Sequence, residues 1–444
     1  MLKKIQLVIS VSMMFAAAVI SAEPMQLDVD TAVKLALENN LNLKSSAIDV
    51  DLAERPYNNI WNNFLPTIGS TTVLGKKDLL LTDPMFNPLA SQNKLTLTES
   101  ISASLTLNAA LFTGIEITRM NYQSGLLSYE MARKELETNV RKAFFGLIAT
   151  RTSRDLIQSN IQTAEKQYSQ ALENYNNGLI PELDLLRVRV RVENLKPGLN
   201  QVANSYENSL MTLKFLLGLD RNVELSLNGE LEVQPREFDA ETLIGRYTDS
   251  RLDVRSLSQA LEIQKRALTA NRQRALTPSV TLSAGWSIPA VTDPFNGDSW
   301  SKDTLWDQGS ASLTIAMPLD GFIPGSGTQD SFRKAEDQIR QTELKLALVR
   351  ENAGIEITNL VMNLASGSQS IETYKLNMEL ARRAYDMTAE AYRLGTKEYL
   401  EVESAQNELF KAQQDVLLEQ YKYLSGLLDL EYALNTPIEE IITE

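Results

Sequence analysis

The chain has 444 residues, a formal charge of −14 from 43 Lys+Arg against 57 Asp+Glu, and neither Cys nor His. That balance argues against nucleic-acid binding, and the missing residue types exclude disulfides, thiol nucleophiles, Cys/His zinc sites and every imidazole-based triad. With 43% hydrophobic residues and only 20 Gly and 14 Pro as punctuation, the chain is expected to form long elements.

Residues 1–22 read as a secretory signal peptide: Lys3 and Lys4, a largely apolar run from Ile5 to Ile20, then Ser21-Ala22 before Glu23. No run of about 18 uncharged apolar residues follows, so no transmembrane helix is expected. A helix is predicted near 30–63, stopped by Phe64-Leu65-Pro66, and a weaker strand at 67–74. Over 94–108, Leu95, Leu97, Ile101, Ala103, Leu105 and Leu107 alternate with Ser and Thr, which predicts a long strand with one apolar and one polar face. Glu99 is the exception on the apolar face.

A helix of about sixty residues is then expected over 116–176, turning at Asn176-Asn177-Gly178 into a returning helix; at ~1.5 Å per residue it is on the order of 90 Å long. Pro197-Gly198 predicts a kink or break in the returning helix.

The same order recurs. Ile157, Ile161, Ala164, Tyr168, Ala171 and Tyr175 each have a counterpart 217 positions on, at Tyr374, Met378, Ala381, Tyr385, Thr388 and Tyr392, and both sets follow a heptad stripe. The second copy is a helix near 240–275 ended by Leu276-Thr277-Pro278, strands at 279–288 and 310–319, and a long hairpin over 330–394 turning at Gly395. The domain reading is a signal peptide 1–22, a first repeat 23–220, a linker 221–239 near the equator, a second repeat 240–435 and a short tail 436–444. The stretches between paired strands, 75–93 and 289–309 with Trp300 and Trp306, read as surface loops. The fold class is mostly α with membrane β, each chain giving four strands and long coiled-coil helices.

Short alternating strands in a secreted chain are the signature of an outer-membrane barrel, and four strands are too few to close one alone, so oligomerisation in outer-membrane lipid is expected. The duplication, Phe64-Leu65-Pro66, the strand end Leu111-Phe112-Thr113-Gly114, and the turns Asn174-Tyr-Asn-Asn-Gly-Leu179 and Ala391-Tyr-Arg-Leu-Gly-Thr396 resemble the TolC family of outer-membrane efflux proteins. The resemblance implies a homotrimer whose twelve-stranded β-barrel continues into a twelve-helix α-barrel in the periplasm. It implies an exit duct for an inner-membrane pump, joined through a periplasmic adaptor, with no catalytic residues and no cofactor or metal.

Carried over by position, the resemblance assigns periplasmic gate links to Asp184, Tyr392 and Lys397 and a lumen acidic ring to Glu401, with Glu403 beside Ser404 as a partial second carboxylate. Gly178, Leu179, Gly395 and Thr396 are the turn residues for adaptor contact; closing a helix is their bland role, and solvated helix-end charge is the bland role of the carboxylates. The competing reading of the whole chain is a structural coiled-coil envelope protein that transports nothing. A glycosidase is a distant third, since no acidic pair stands out.

Overall fold

The computed structural model describes residues 25–76, 95–292, 294, 295, 300 and 309–442. The expected signal peptide, residues 77–93 of the first loop, Lys94 of the expected strand, and residues 293, 296–299 and 301–308 of the second loop, including Trp306, lie outside the described residues. In chain order the elements are β1 (Met25–Leu27), α1 (Val29–Asn39), α2 (Leu41–Asn58), β2 (Thr67–Lys76), β3 (Leu95–Leu107), α3 (Ala109–Asn176), α4 (Glu182–Leu217), β4 (Leu225–Leu227), α5 (Ala240–Tyr247), α6 (Leu252–Leu276), β5 (Ser279–Thr292), β6 (Gly309–Ala316), α7 (Gly327–Arg393), α8 (Tyr399–Leu434) and α9 (Ile438–Ile442). None of the described helices is long and apolar enough to cross a membrane.

The departures from expectation have local causes. The first predicted helix is two, because Asn40 leaves the helical region at ψ 126° and its side chain caps the next turn: Oδ1 accepts from the N–H groups of Asn42 and Leu43, and Nδ2 donates to the Leu216 carbonyl at 2.9 Å. The second is likewise split at Arg251, which is extended at ψ 137°. α3 starts at Ala109 and takes in Leu111-Phe112-Thr113-Gly114, read above as a strand end, because Asn108 caps it by accepting from the Leu111 N–H at 3.0 Å. α4 runs unbroken through Pro197, so the expected break is absent; a proline removes one N–H, and packing along 36 residues carries the helix past it. The 221–239 linker contributes β4, paired in parallel with β1, and the buried Val233.

The described residues fall into two compact units, each drawing on both repeats. One takes residues 25–48, 128–255 and 349–442, the other 49–127 and 256–348. In the first unit two apolar cores use matching positions 217 apart: Val140, Phe144, Leu147, Leu213 and Leu217 in one, and Ile357, Val361, Leu364, Leu430 and Leu434 in the other. Burying each such side chain contributes about 1.5–3 kcal/mol.

The same unit holds a charge cluster at the α5–α6 break. Arg251 grips Asp253 with two hydrogen bonds of 3.1 and 2.9 Å and reaches Glu356 on α7 at 2.8 Å. Burial pushes the Asp253 carboxyl up, but Arg251 and the Val254 N–H outweigh it and hold the group below the usual carboxylate range. A depressed native pKa supplies stability above the unfolded value of about 3.9 and loses it as pH falls through the native value. Asp253→Asn should therefore lower the thermal midpoint, followed by helical circular dichroism, at pH 7 by no more than about 1 kcal/mol equivalent, because the carboxylate is partly exposed. The wild-type and variant midpoints should begin to converge near pH 4 and meet below the depressed native value of Asp253.

The second unit carries the antiparallel sheet β2-β3-β5-β6. Its register sorts side chains cleanly. Ile101 pairs with Trp286, Leu105 with Leu282, and Leu282 in turn with Leu313, so one face is mostly apolar, interrupted by Ser70, Thr72 and Glu99, with Leu313 66% and Ile315 69% exposed. Ser102, Ser104 and Thr106 pair with Gly285, Ser283 and Thr281, and the opposite face is almost entirely Ser, Thr and Gly, with no charged side chain among the described residues. Neighbouring hydroxyls there bond directly, Thr106 to Thr281 at 3.0 Å and Ser283 to Ser312 at 2.7 Å. Glu99 sits on the apolar face, where its carboxylate accepts from the hydroxyls of Ser70, at 2.6 Å, and Thr72. Beside it the register slips: β5 uses one more residue than β3 between Ile288 and Val291. Pro289, which brings no N–H to a ladder, lies in that bulge, and β5 extends past it to Thr292. β2 and β6 are the sheet edges.

Candidate functional site

The candidate residues gather where α3 turns into α4 and α7 into α8. Both turns close the same way. Gly178 and Gly395 are left-handed, with φ of 72° and 73°. The Gly178 N–H bonds to the Tyr175 carbonyl and the Leu179 N–H to that of Asn174; 217 positions on, Gly395 bonds to Tyr392 and Thr396 to Ala391, all at 2.8–2.9 Å. These are paired Schellman closures, which require positive φ at the glycine. The returning helices then start at Glu182 and Tyr399, again 217 apart, behind the extended residues Pro181 and Glu398.

A cleft of about 710 Å³ lies between the two hairpins beside these turns, with Leu179, Tyr392, Gly395 and Lys397 in its wall. Tyr392 packs edge-on against Tyr399 with ring centroids 6.1 Å apart. Burial raises the Tyr392 phenol, and the nearby Asp184 carboxylate adds to it, so the two expected gate residues are electrostatic neighbours within one chain. Asp184 itself meets Arg187 at 3.3 Å. Lys397 ion-pairs with Glu401 one turn on, both about half-exposed. Two residues expected to serve separately, one in a gate and one in an acidic ring, thus share a contact. Glu403 stands 3.8 Å from the guanidinium of Arg191 on α4.

Against this architecture the sequence profile described as "Outer membrane efflux protein" matches residues 32–219 and again 243–436. The chain belongs to the outer membrane efflux protein family. Outer membrane protein TolC of Salmonella enteritidis is 21% identical over 409 residues, covering 90% of this chain and 80% of that one. The cobalt-zinc-cadmium resistance protein CzcC of Cupriavidus metallidurans is 24% identical over 425 residues, covering 94% and 90%. Among solved structures, CusC superposes with a TM-score of 0.75 at 18% identity over 91% of each chain. VceC from Vibrio cholerae gives 0.74 at 16% identity over 92% of this chain and 96% of that one. The protein is a TolC-like efflux protein of the outer membrane.

For this outer membrane efflux protein the geometry adds residues that the sequence reading missed. Gln406 donates to Asn160 at 2.7 Å and accepts from Gln167 at 3.0 Å, and Tyr399 donates to Gln167 at 3.4 Å. Asn160 and Gln167 are a heptad apart, as are Tyr399 and Gln406, so these polar side chains repeat along the contact of α3 with α8, beside the buried apolar Ile161, Ala164 and Ala171. That spacing was the available signal. No group of His, Cys, Asp and Glu suited to a metal ion occurs among the described residues.

Proposed function

We propose that three copies of this chain close a twelve-stranded barrel in the outer membrane, continuous with a twelve-helix periplasmic barrel. The assembly passively passes substrates that an inner-membrane pump delivers through a periplasmic adaptor, as the exit duct of a tripartite efflux or type I secretion system. The observation that carries this is the open four-stranded sheet: its outer strands β2 and β6 have free edges, and its apolar face is exposed in the single chain. A free edge and a bare apolar face are both costly in water, and closure in lipid removes both. α7 supports association of copies independently, because Leu348, Ile355 and Met362 recur at heptad intervals, Leu376 follows two heptads after Met362, and all four are more than half exposed.

In this assembly Asp184, Tyr392 and Lys397 link the hairpins at the periplasmic mouth. Glu401 faces the lumen, and the turns at Gly178, Leu179, Gly395 and Thr396 meet the adaptor. Repeats 23–220 and 240–435, joined by 221–239 and followed by the tail 436–444, are the units that assemble. No catalytic step is assigned to any residue.

Spin labels test the barrel. With labels at Ala103 and Leu105, a lipid-soluble quencher should dominate, and at Ser102 and Ser104 a water-soluble one. Failure to alternate along this run would end the barrel assignment, as would a detergent-purified monomer with intact strand content. Conductance in a planar bilayer separates a duct from an envelope tether, which would show none.

A further inference from the structure

One flank of each hairpin is covered within the chain and the other is bare. α8 packs Leu430 and Leu434 against Ile357 and Val361 of α7, and on its far side Asp429 and Glu431 ion-pair with Lys142 and Arg141 of α3, the second pair at 3.1 Å. Lys134 also lies near Glu431. α4 packs Leu213 and Leu217 on α3 in the same manner, yet its far side carries Met211, 51% exposed, and Phe215, 68% exposed. The residues 217 positions on, Leu428 and Tyr432, are only 7% and 37% exposed. α7 offers the matching surface: a groove of about 410 Å³ runs along it, walled by Ile244, Glu351, Gly354, Ile355, Thr358 and Asn359. Of these, Glu351, Gly354, Thr358 and Asn359 stand 217 after Lys134, Glu137, Arg141 and Lys142, the α3 residues grouped around the α8 carboxylates. Glycine in place of a long side chain opens the floor of that groove.

We infer that α4 of one protomer docks on α7 of the next by repeating the α8–α3 contact found within the chain, with Phe215 and Met211 seated over Gly354 and Lys214 facing Glu351. The inference rests on the oligomeric barrel reading and names the surfaces that close it. Charge supports the pairing separately. Within the chain the cation is on α3, Lys134, and the anion on α8, Glu431; at the positions 217 away the anion is on α7, Glu351, and the cation on α4, Lys214. Both signs are inverted together, so attraction is kept, whereas a change of one alone would set like charges face to face. The exposed Phe215 and Met211 on one side, and Ile355 on the other, leave water together when the two surfaces meet. Two different surfaces make a head-to-tail contact, and repeated contacts of that kind close into a ring when the rotation allows.

The chain contains no Cys, so Thr212→Cys and Asn359→Cys place the only thiols at the positions that match the touching pair Asp429 and Lys142. On the purified full chain in detergent, a short bismaleimide should link the double variant into covalent dimers and trimers and either single variant into neither, because each position faces the other across copies and never itself. Trimers by light scattering without crosslinks would overturn this contact and leave the barrel reading standing; monomers would overturn both. Phe215→Ala should raise at least tenfold the protein concentration at which the trimer half-dissociates. Since Phe215 is exposed in the single chain, its removal leaves the core intact, and unchanged dissociation would show that the groove over Gly354 is not its seat. Lys214→Glu should weaken the trimer and Lys214→Glu with Glu351→Lys should restore it, a rescue that loss of the Lys214 bond to the Arg221 carbonyl cannot produce. Absence of rescue would remove the Lys214–Glu351 pairing from the contact.

Discussion

Gly218→Ala should lower the stability of the helical region by roughly 3 kcal/mol, one of the largest effects expected from a single methyl group in this chain. Gly218 ends α4 at φ 66°, and its counterpart Asn435 ends α8 at φ 54°, both with the same pair of closing hydrogen bonds to the helix. The two sites differ in what surrounds them. A Cβ at Gly218 would come within 2.5 Å of the Asn39 carbonyl oxygen and 2.7 Å of its carbon, backbone atoms pinned at the α1–α2 break. Left-handed strain costs a β-carbon residue about 1–2 kcal/mol, and overpacking against fixed backbone adds a further 1–3. Gly218→Asn separates the two contributions, because asparagine tolerates positive φ but carries the same Cβ. It should be nearly as damaging as alanine, while Asn435→Gly should change the thermal midpoint little. A native-like Gly218→Asn would show that helix closure, and not the approach of Asn39, is what requires glycine.

Lys397→Ala combined with Tyr392→Phe should raise conductance clearly more than either change alone. Each exposed link of the proposed gate is worth about 0.2–1 kcal/mol, so single removals are weak, but several links across the three protomers of the proposed trimer add up, and every 1.4 kcal/mol is tenfold in the open population. The Lys397–Glu401 pair sharpens the test. Removing Lys397 strips Glu401 of its counter-charge, so Lys397→Ala should increase cation selectivity, whereas Glu401→Gln should decrease it together with sensitivity to divalent cations. Opposite signs are the mark of a charge facing the lumen. Selectivity unchanged in both variants would reduce the pair to an ordinary helix-surface contact.

Much of the fold was legible because period two and period seven are hard to mistake over such lengths, and because the shift of 217 lets one copy correct the other. Arg187-Val-Arg-Val-Arg-Val192 alternates like a strand, yet its counterpart Ser404-Ala-Gln-Asn-Glu-Leu409 does not, and both are helix. What escaped is what the copies do not share. Arg191 is buried while its counterpart Glu408 is exposed, so the comparison of repeats carried no hint of a sealed charge. The breaks at Asn40 and Arg251 were hidden for another reason: they depend on side chains reaching partners more than a hundred residues away, Leu216 for the first and Glu356 for the second. Proline misled in the opposite direction at position 197, where one lost hydrogen bond was outweighed by the rest of the helix.

The hydroxyl-covered face of the sheet has a consequence for traffic. A serine or threonine hydroxyl both donates and accepts, and it rotates to suit whatever stands before it. Turned toward the proposed pore, a wall of Ser, Thr and Gly with no fixed charge among the described residues imitates the hydrogen bonding of liquid water. A passing solute then exchanges one set of adaptable partners for another and meets neither a deep well that would trap it nor a barrier that would sort it. Such a passage is non-stick, and a non-stick passage suits a conduit whose cargo is chosen elsewhere.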